Sequence, residues 1–200
     1  MSKSTWLWVV LAVLAAGGGV WVANRTSSQA PQLTSGTWLP QPRPVPEVSL
    51  IDQAGQPFTP QSLKGHPTLL FFGFTHCPDV CPTTLARLVQ VVKSANVPGL
   101  KVLLVSVDPE RDTPEQLEHY IHAFSPDFGG VTGNSAQIER LAKEFGVAIA
   151  KVDMGGGEYT VDHSSVVFLT NGQGQRVALF TQPFETAALA ADLHNIADRL

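Results

Sequence analysis

Cysteine is nearly missing from this chain of 200 residues: there are two. Two thiols cannot staple a chain of this length, so a disulfide scaffold is excluded. Charge is also scarce. Asp, Glu, Lys and Arg make up 15% of the residues and the formal net charge is -4, which leaves no basic surface for nucleic acid. The HExxH pattern of zinc proteases is absent, and so is any internal repeat. At this length there is room for one core-forming domain and a short appendage.

The apolar fraction, 44%, is unevenly spread. After a tail over residues 1–5, Trp6 to Ala23 runs without a charge: WLWVVLAVLAAGGGVWVA. Eighteen residues in a helix span roughly 27 Å, close to the ~30 Å hydrocarbon core of a bilayer. Trp6, Trp8 and Trp21 stand near its ends, where interfacial indoles are favoured. The rival reading is a cleaved signal peptide. Bulky residues stand where its small-x-small site would be (Val20-Trp21-Val22), so an uncleaved single-pass anchor is favoured. The tail is too short for an organelle transit peptide, which points to a bacterial cytoplasmic membrane with the main domain in the periplasm. Residues 24–46, rich in Ser, Gln and Pro, are expected to be a flexible, extended tether. The globular domain is expected over residues 47–200.

Within that domain strands alternate with helices. A hairpin is expected over Val48–Thr59, turning at Asp52-Gln53-Ala54-Gly55. Continuous apolar runs over residues 67–74 and 101–107 read as strands buried on both faces. Helical spacing of Leu85, Leu88, Val89 and Val92 predicts a helix over 83–94. Asp112 or Thr113, followed by Pro114, marks another helix start. Phe128–Thr132 reads as a short edge strand, Asn134 as the cap of a helix stopped by Gly146, and Ala148–Val152 as a further strand. Asn171-Gly172-Gln173-Gly174 predicts a hairpin, and Leu189, Leu193, Ile196 and Leu200 mark a last helix. This order implies an α/β, thioredoxin-like mixed sheet with flanking helices, behind the single N-terminal transmembrane helix.

The two cysteines are concentrated in Cys77-Pro78-Asp79-Val80-Cys81-Pro82, directly after the first buried strand and at a helix start. Such a pair is redox-active or metal-binding, or else a plain local disulfide. A helix N-terminus favours thiolate, which is both a nucleophile and a soft metal ligand. Three residues separate the cysteines, against two in the familiar disulfide oxidoreductases. The wider loop can close a disulfide, and it also lets both sulfurs converge on one ion. Two thiolates leave an ion undercoordinated, and a neutral imidazole is a natural third donor for copper. Of six histidines, His119, His122 and His194 read as surface residues and His66 as a turn residue. His76 adjoins Cys77 and is a candidate for tuning the site. His163, in Tyr159-Thr160-Val161-Asp162-His163-Ser164, is expected in a loop that could return to the cysteines; the chain pattern alone leaves it either a ligand or a satisfied structural histidine.

Phe72-Gly73-Phe74-Thr75-His76-Cys77-Pro78-Asp79-Val80-Cys81-Pro82 resembles the copper-site segment of the Sco/SenC family, copper chaperones for cytochrome c oxidase assembly. The resemblance continues in Val105-Ser106-Val107-Asp108-Pro109-Glu110-Arg111-Asp112-Thr113-Pro114, in Phe124-Ser125-Pro126, and in Tyr159 to Ser164. It implies a thioredoxin-like domain behind one anchor, with copper held by Cys77, Cys81 and His163 and with Asp79 and Asp162 shaping or tuning the site. The glycine-rich Met154–Glu158 departs from many relatives and resembles a mobile loop. The resemblance also implies Cu(I), with Cu(II) as a second form, and a Cys77–Cys81 disulfide when copper is absent. The partners it implies are a copper donor protein and the copper-bearing subunit of a terminal oxidase. Alternatives are a thiol-disulfide reductase keeping oxidase cysteines reduced, and a redox or copper sensor. A peroxidase lacks its threonine and arginine pattern here.

Overall fold

The long apolar run after residue 67 forms the middle of the molecule because every position of it is buried. In the computed structural model, which describes residues 30–200, this is strand β4, Thr68–Gly73. The other strands of the sheet are β1 (Thr37–Pro44), β2 (Leu50–Asp52), β3 (Pro57–Phe58), β5 (Lys101–Ser106), β6 (Gly129–Thr132), β9 (Val166–Thr170) and β10 (Gln175–Thr181). They lie in the order β1-β10-β9-β4-β5-β6-β2-β3. β4, β5 and β6 run parallel, and the remaining neighbours pair antiparallel. This is the mixed sheet with helices that the sequence leads one to expect.

Among the described residues four α-helices flank it: α1 (Val80–Ala95), α2 (Pro114–His122), α3 (Ser135–Phe145) and α4 (Thr186–Asn195). Alternation along β4 sends Phe71 and Gly73 towards Cys81 of α1, whereas Phe72 meets Phe145 of α3 edge-on at 5.4 Å between ring centroids. α1 packs against α4, and α2 against β6. The predicted caps are present. Thr113 and Gln116 form a reciprocal box around Pro114, and Asn134 accepts from Ala136 N–H. Gly146 ends α3 with φ +73°, a left-handed conformation that suits glycine.

Three expectations need correction. The presumed tether over 24–46 is, from Thr37 to Pro44, an edge strand paired with β10. Pro40, Pro42 and Pro44, which suggested a spacer, lack the N–H of a ladder donor and are tolerated because β1 is the end strand of the sheet among the described residues. The compact unit accordingly begins at Gln32 rather than 47. Thr34 N–H, Ser35 N–H and the Ser35 hydroxyl all donate to the buried Asp192 carboxylate of α4, at 2.9, 2.7 and 2.6 Å. β6 is interior to the sheet, not an edge, because the 48–59 hairpin pairs outside it. Finally, the segment expected as a loop before His163 is a strand, β8 (Glu158–His163), paired with β7 (Ile149–Gly155) in a separate two-stranded ribbon. Its glycines make the ribbon's turn: Gly155, Gly156 and Gly157 all have positive φ.

Among the described residues no helix is long and apolar enough to cross a membrane. The tail over 1–5 and the anchor expected over 6–23 lie outside those residues.

Candidate metal centre

Three elements converge at the carboxyl end of β4. Cys77 sits in the loop leaving the strand, Cys81 lies in the first turn of α1, and His163 ends β8. One ligand atom from each, two sulfurs and one ring nitrogen, lie within 4.8 Å of one another. Both cysteines are free thiols. Cys81 is fully buried against Gly73 of β4, while Cys77 is only partly covered.

The backbone polarises the pair unequally. Cys77 Sγ accepts the Cys81 N–H at 3.4 Å, at the amino end of α1 where helix N–H groups point outward. The Cys81 thiol and the amides of Cys81 and Asp79 all favour a negative Cys77 sulfur, and they outweigh its burial. Its pKa falls to about 4. Cys81 is pushed the other way: its proton is held by the Cys77 thiolate, and burial opposes a second charge. Both effects bias the reduced site towards a thiolate on Cys77 beside a thiol on Cys81. His163 Nδ1 lies 3.3 Å from the Ser164 carbonyl, an acceptor, so Nδ1 carries the proton. That leaves Nε2, 3.5 Å from Cys81 Sγ, with its lone pair facing the sulfur. Phe71 and Phe74 each approach the imidazole edge-on with centroids 6.0 Å away, fixing the ring's tilt. Two soft sulfurs and a neutral imidazole nitrogen suit a soft or borderline ion such as copper or zinc far better than calcium or magnesium.

The other expected site residues fall around this trio. Asp79 caps α1 without a side-chain bond to the helix amides, and lines a cleft of about 230 Å³ with Cys77, Asp162 and His163. Asp162 is exposed on β8. His76 points elsewhere: its Nδ1 is 3.0 Å from Thr75 Oγ1 and 3.8 Å from Asp112 Oδ1. His119 and His122 are exposed, His194 Nδ1 lies 3.2 Å from the Ala95 carbonyl, and His66 Nδ1 is 3.1 Å from Thr68 Oγ1.

Sequence reasoning missed the role of Asp112. Asp112, read as a possible helix cap, is instead a fully buried carboxylate under the cysteine loop. It accepts Thr75 N–H, the Thr75 hydroxyl at 2.6 Å and the Ser106 hydroxyl at 2.6 Å. Burial raises its pKa while these donors oppose the rise. A second aspartate, three residues after Pro109, was the signal available.

Comparison with known proteins agrees with this geometry. The family model described as SCO1/SenC matches residues 40–198. A SCO2-like protein of Rickettsia conorii is 39% identical over 138 residues, covering 67% of each chain. The structure of Bradyrhizobium japonicum ScoI with copper bound is 38% identical, has a TM-score of 0.69, and covers 76% of this chain and 98% of its own. BsSco, a member of the Sco family of cytochrome c oxidase assembly proteins in which a disulfide switch was identified, is 25% identical with a TM-score of 0.62, over 81% of this chain and 98% of its own. A match over residues 40–198, almost all of the compact unit and including Cys77, Cys81 and His163, makes this chain a member of the SCO1/SenC family.

Proposed function

We propose that this protein is a copper carrier that takes up Cu(I) at Cys77, Cys81 and His163 and delivers it during assembly of a cytochrome c oxidase. The observation that carries the reading is the mutual approach of three soft donors to within 4.8 Å. Cu(I) suits a low-coordinate site of two sulfurs and one nitrogen; Cu(II) would call for a further oxygen ligand. The Cys77 thiolate is the first donor to meet an arriving ion, and Cys81 releases its proton as it ligates. Handover to the copper-bearing subunit of the oxidase proceeds by stepwise exchange of these thiolates for the acceptor's own, and a donor protein loads the site by the reverse exchange. Oxidation of Cys77 and Cys81 to a disulfide removes both sulfurs from coordination and closes the site to metal. The charge-free run over 6–23 supports a single-pass anchor in a bacterial cytoplasmic membrane, with the sheet domain in the periplasm.

A second reading has its own observation. A Cys77 pKa near 4 is that of a nucleophile, so the same pair suits a thiol-disulfide reductase acting on the oxidase's cysteines. One experiment separates the two. Metal analysis of the reduced full chain should give one copper per protein, lost in Cys77→Ala, Cys81→Ala and His163→Ala. If His163→Ala keeps full copper affinity, or if wild type takes none while reducing a disulfide substrate, the carrier reading fails and the reductase stands.

A further inference from the structure

The two sulfurs belong to the main sheet and its first helix, but His163 belongs to the β7–β8 ribbon, which shares no ladder with that sheet. The chain brings the third donor near, since only Ser164 and Ser165 separate His163 from β9, and the ribbon's side chains then set its angle and distance to the sulfurs. Alternation along β8 places Tyr159, Val161 and His163 on one face. Val161 is buried, and Tyr159 is held by one short segment of the main body, the bend after β5.

In that bend Asp108 is almost fully buried. Its Oδ2 accepts Arg111 Nε at 2.5 Å, and its Oδ1 accepts the Tyr159 hydroxyl at 2.8 Å. Arg111 Nη1 donates to the Tyr159 carbonyl at 3.1 Å, and the guanidinium stacks on the Tyr159 ring 3.8 Å from its centroid. Arg111 thus grips the same residue by ring and backbone, four residues before the ligand. The same bend, through Asp112, also holds Thr75, two residues before Cys77. His76, Asp108 and Asp112 come close enough together to suggest a second ion site. Both carboxylates are already taken by these internal partners, however, and leave no face to an ion.

We propose that Asp108, Arg111 and Tyr159 are positioning residues for the metal centre: the bend Ser106–Asp112 grips the cysteine loop with one carboxylate and the ribbon with the other, and so sets the distance between the sulfurs and His163. This rests on the carrier reading above. A guanidinium is required because one group must donate to a carboxylate and a carbonyl at once while lying flat on a ring. Lysine can do only part of this.

The test is a double-mutant cycle on the full chain, reduced and purified in detergent, with Cu(I) affinity read by competition with bathocuproine disulfonate. Arg111→Ala should lose about tenfold or more in affinity, the range of outer-sphere substitutions at metal sites. Arg111→Lys should recover only part of the loss. Arg111→Ala combined with His163→Ala should bind no more weakly than His163→Ala alone, since the arginine acts through the imidazole. Tyr159→Phe, which keeps the ring and removes only the hydroxyl, should lose a few-fold and guards against a variant that fails to fold. In the copper-free protein, NMR should show the His163 ring protons of Arg111→Ala moving away from the ring-current shifts imposed by Phe71 and Phe74. If the arginine's effect is undiminished in the His163→Ala background, or if Arg111→Ala binds like wild type with unmoved His163 signals, the brace is wrong while the carrier stands. If wild type binds no Cu(I), the carrier reading falls, and this inference with it.

Discussion

Replacing Gly73 by alanine puts a methyl group into the most crowded point between sheet and metal centre. The added Cβ would lie 2.9 Å from Phe71 Cε1, 3.0 Å from Cys81 Sγ and 3.0 Å from Leu104 Cδ1. All three neighbours are fully buried and boxed in, so none can swing clear as an exposed side chain would. An ordinary carbon–sulfur contact needs roughly half an ångström more, and Cys81 Sγ starts only 3.5 Å from His163 Nε2. Overpacking of this kind costs about 1–3 kcal/mol. For a compact unit of about 170 residues, each kcal/mol lowers Tm by roughly 2–4 °C, so the reduced, metal-free Gly73→Ala chain should melt about 2–12 °C below wild type. Its Cu(I) affinity should fall as well, because the displaced atom is a ligand. Circular dichroism melts and chelator competition read the two effects. A variant that melts within about 1 °C of wild type and binds Cu(I) equally well would show that Gly73 is not the spacer between β4 and Cys81.

Three further outcomes are expected. With its pKa near 4, Cys77 should react with iodoacetamide at a rate that is flat from pH 6 to 8 and falls only below about pH 5; a rise of tenfold per pH unit across 6–8, as for an ordinary thiol near 8.5, would contradict the geometry. For the same reason, Cu(I) uptake at pH 7 should release close to one proton per ion, supplied by Cys81, when calorimetry is compared across buffers; a value near two would mean that both sulfurs start protonated. Asp192→Ala removes three charge-assisted bonds to Thr34 and Ser35. It should cost about 2–4 kcal/mol in chemical denaturation and expose the chain before β1 to protease, with Cu(I) affinity unchanged.

Where the sequence carried a strong local signal, the elements matched it. Leu69 to Phe72 could only be a strand covered on both faces, and Thr113-Pro114 or Asn134 with Gly146 specify helix ends by their own hydrogen-bonding groups. Cys77, Cys81 and His163 were legible as candidates through spacing and family likeness, and the fold brings them together. What stayed hidden depends on partners distant along the chain. Nothing local tells that Thr37–Pro44 will find β10, since its prolines read equally as a spacer. Nothing around Tyr159 announces that Arg111, 48 residues earlier, will lie across its ring. Asp112 shows the same limit, since one carboxylate can cap a helix or anchor a loop, and only Thr75 and Ser106 decide which.

The unequal cover over the two sulfurs gives the centre a direction. Cys81 is fully buried in the first turn of α1, whereas Cys77 keeps an open side in the cleft with Asp79 and Asp162. For an ion carried there, an approaching thiol group can displace only the outer sulfur first, and the inner one lets go last. Entry and exit then share a single doorway, and the order in which bonds break is written into the depth of two side chains.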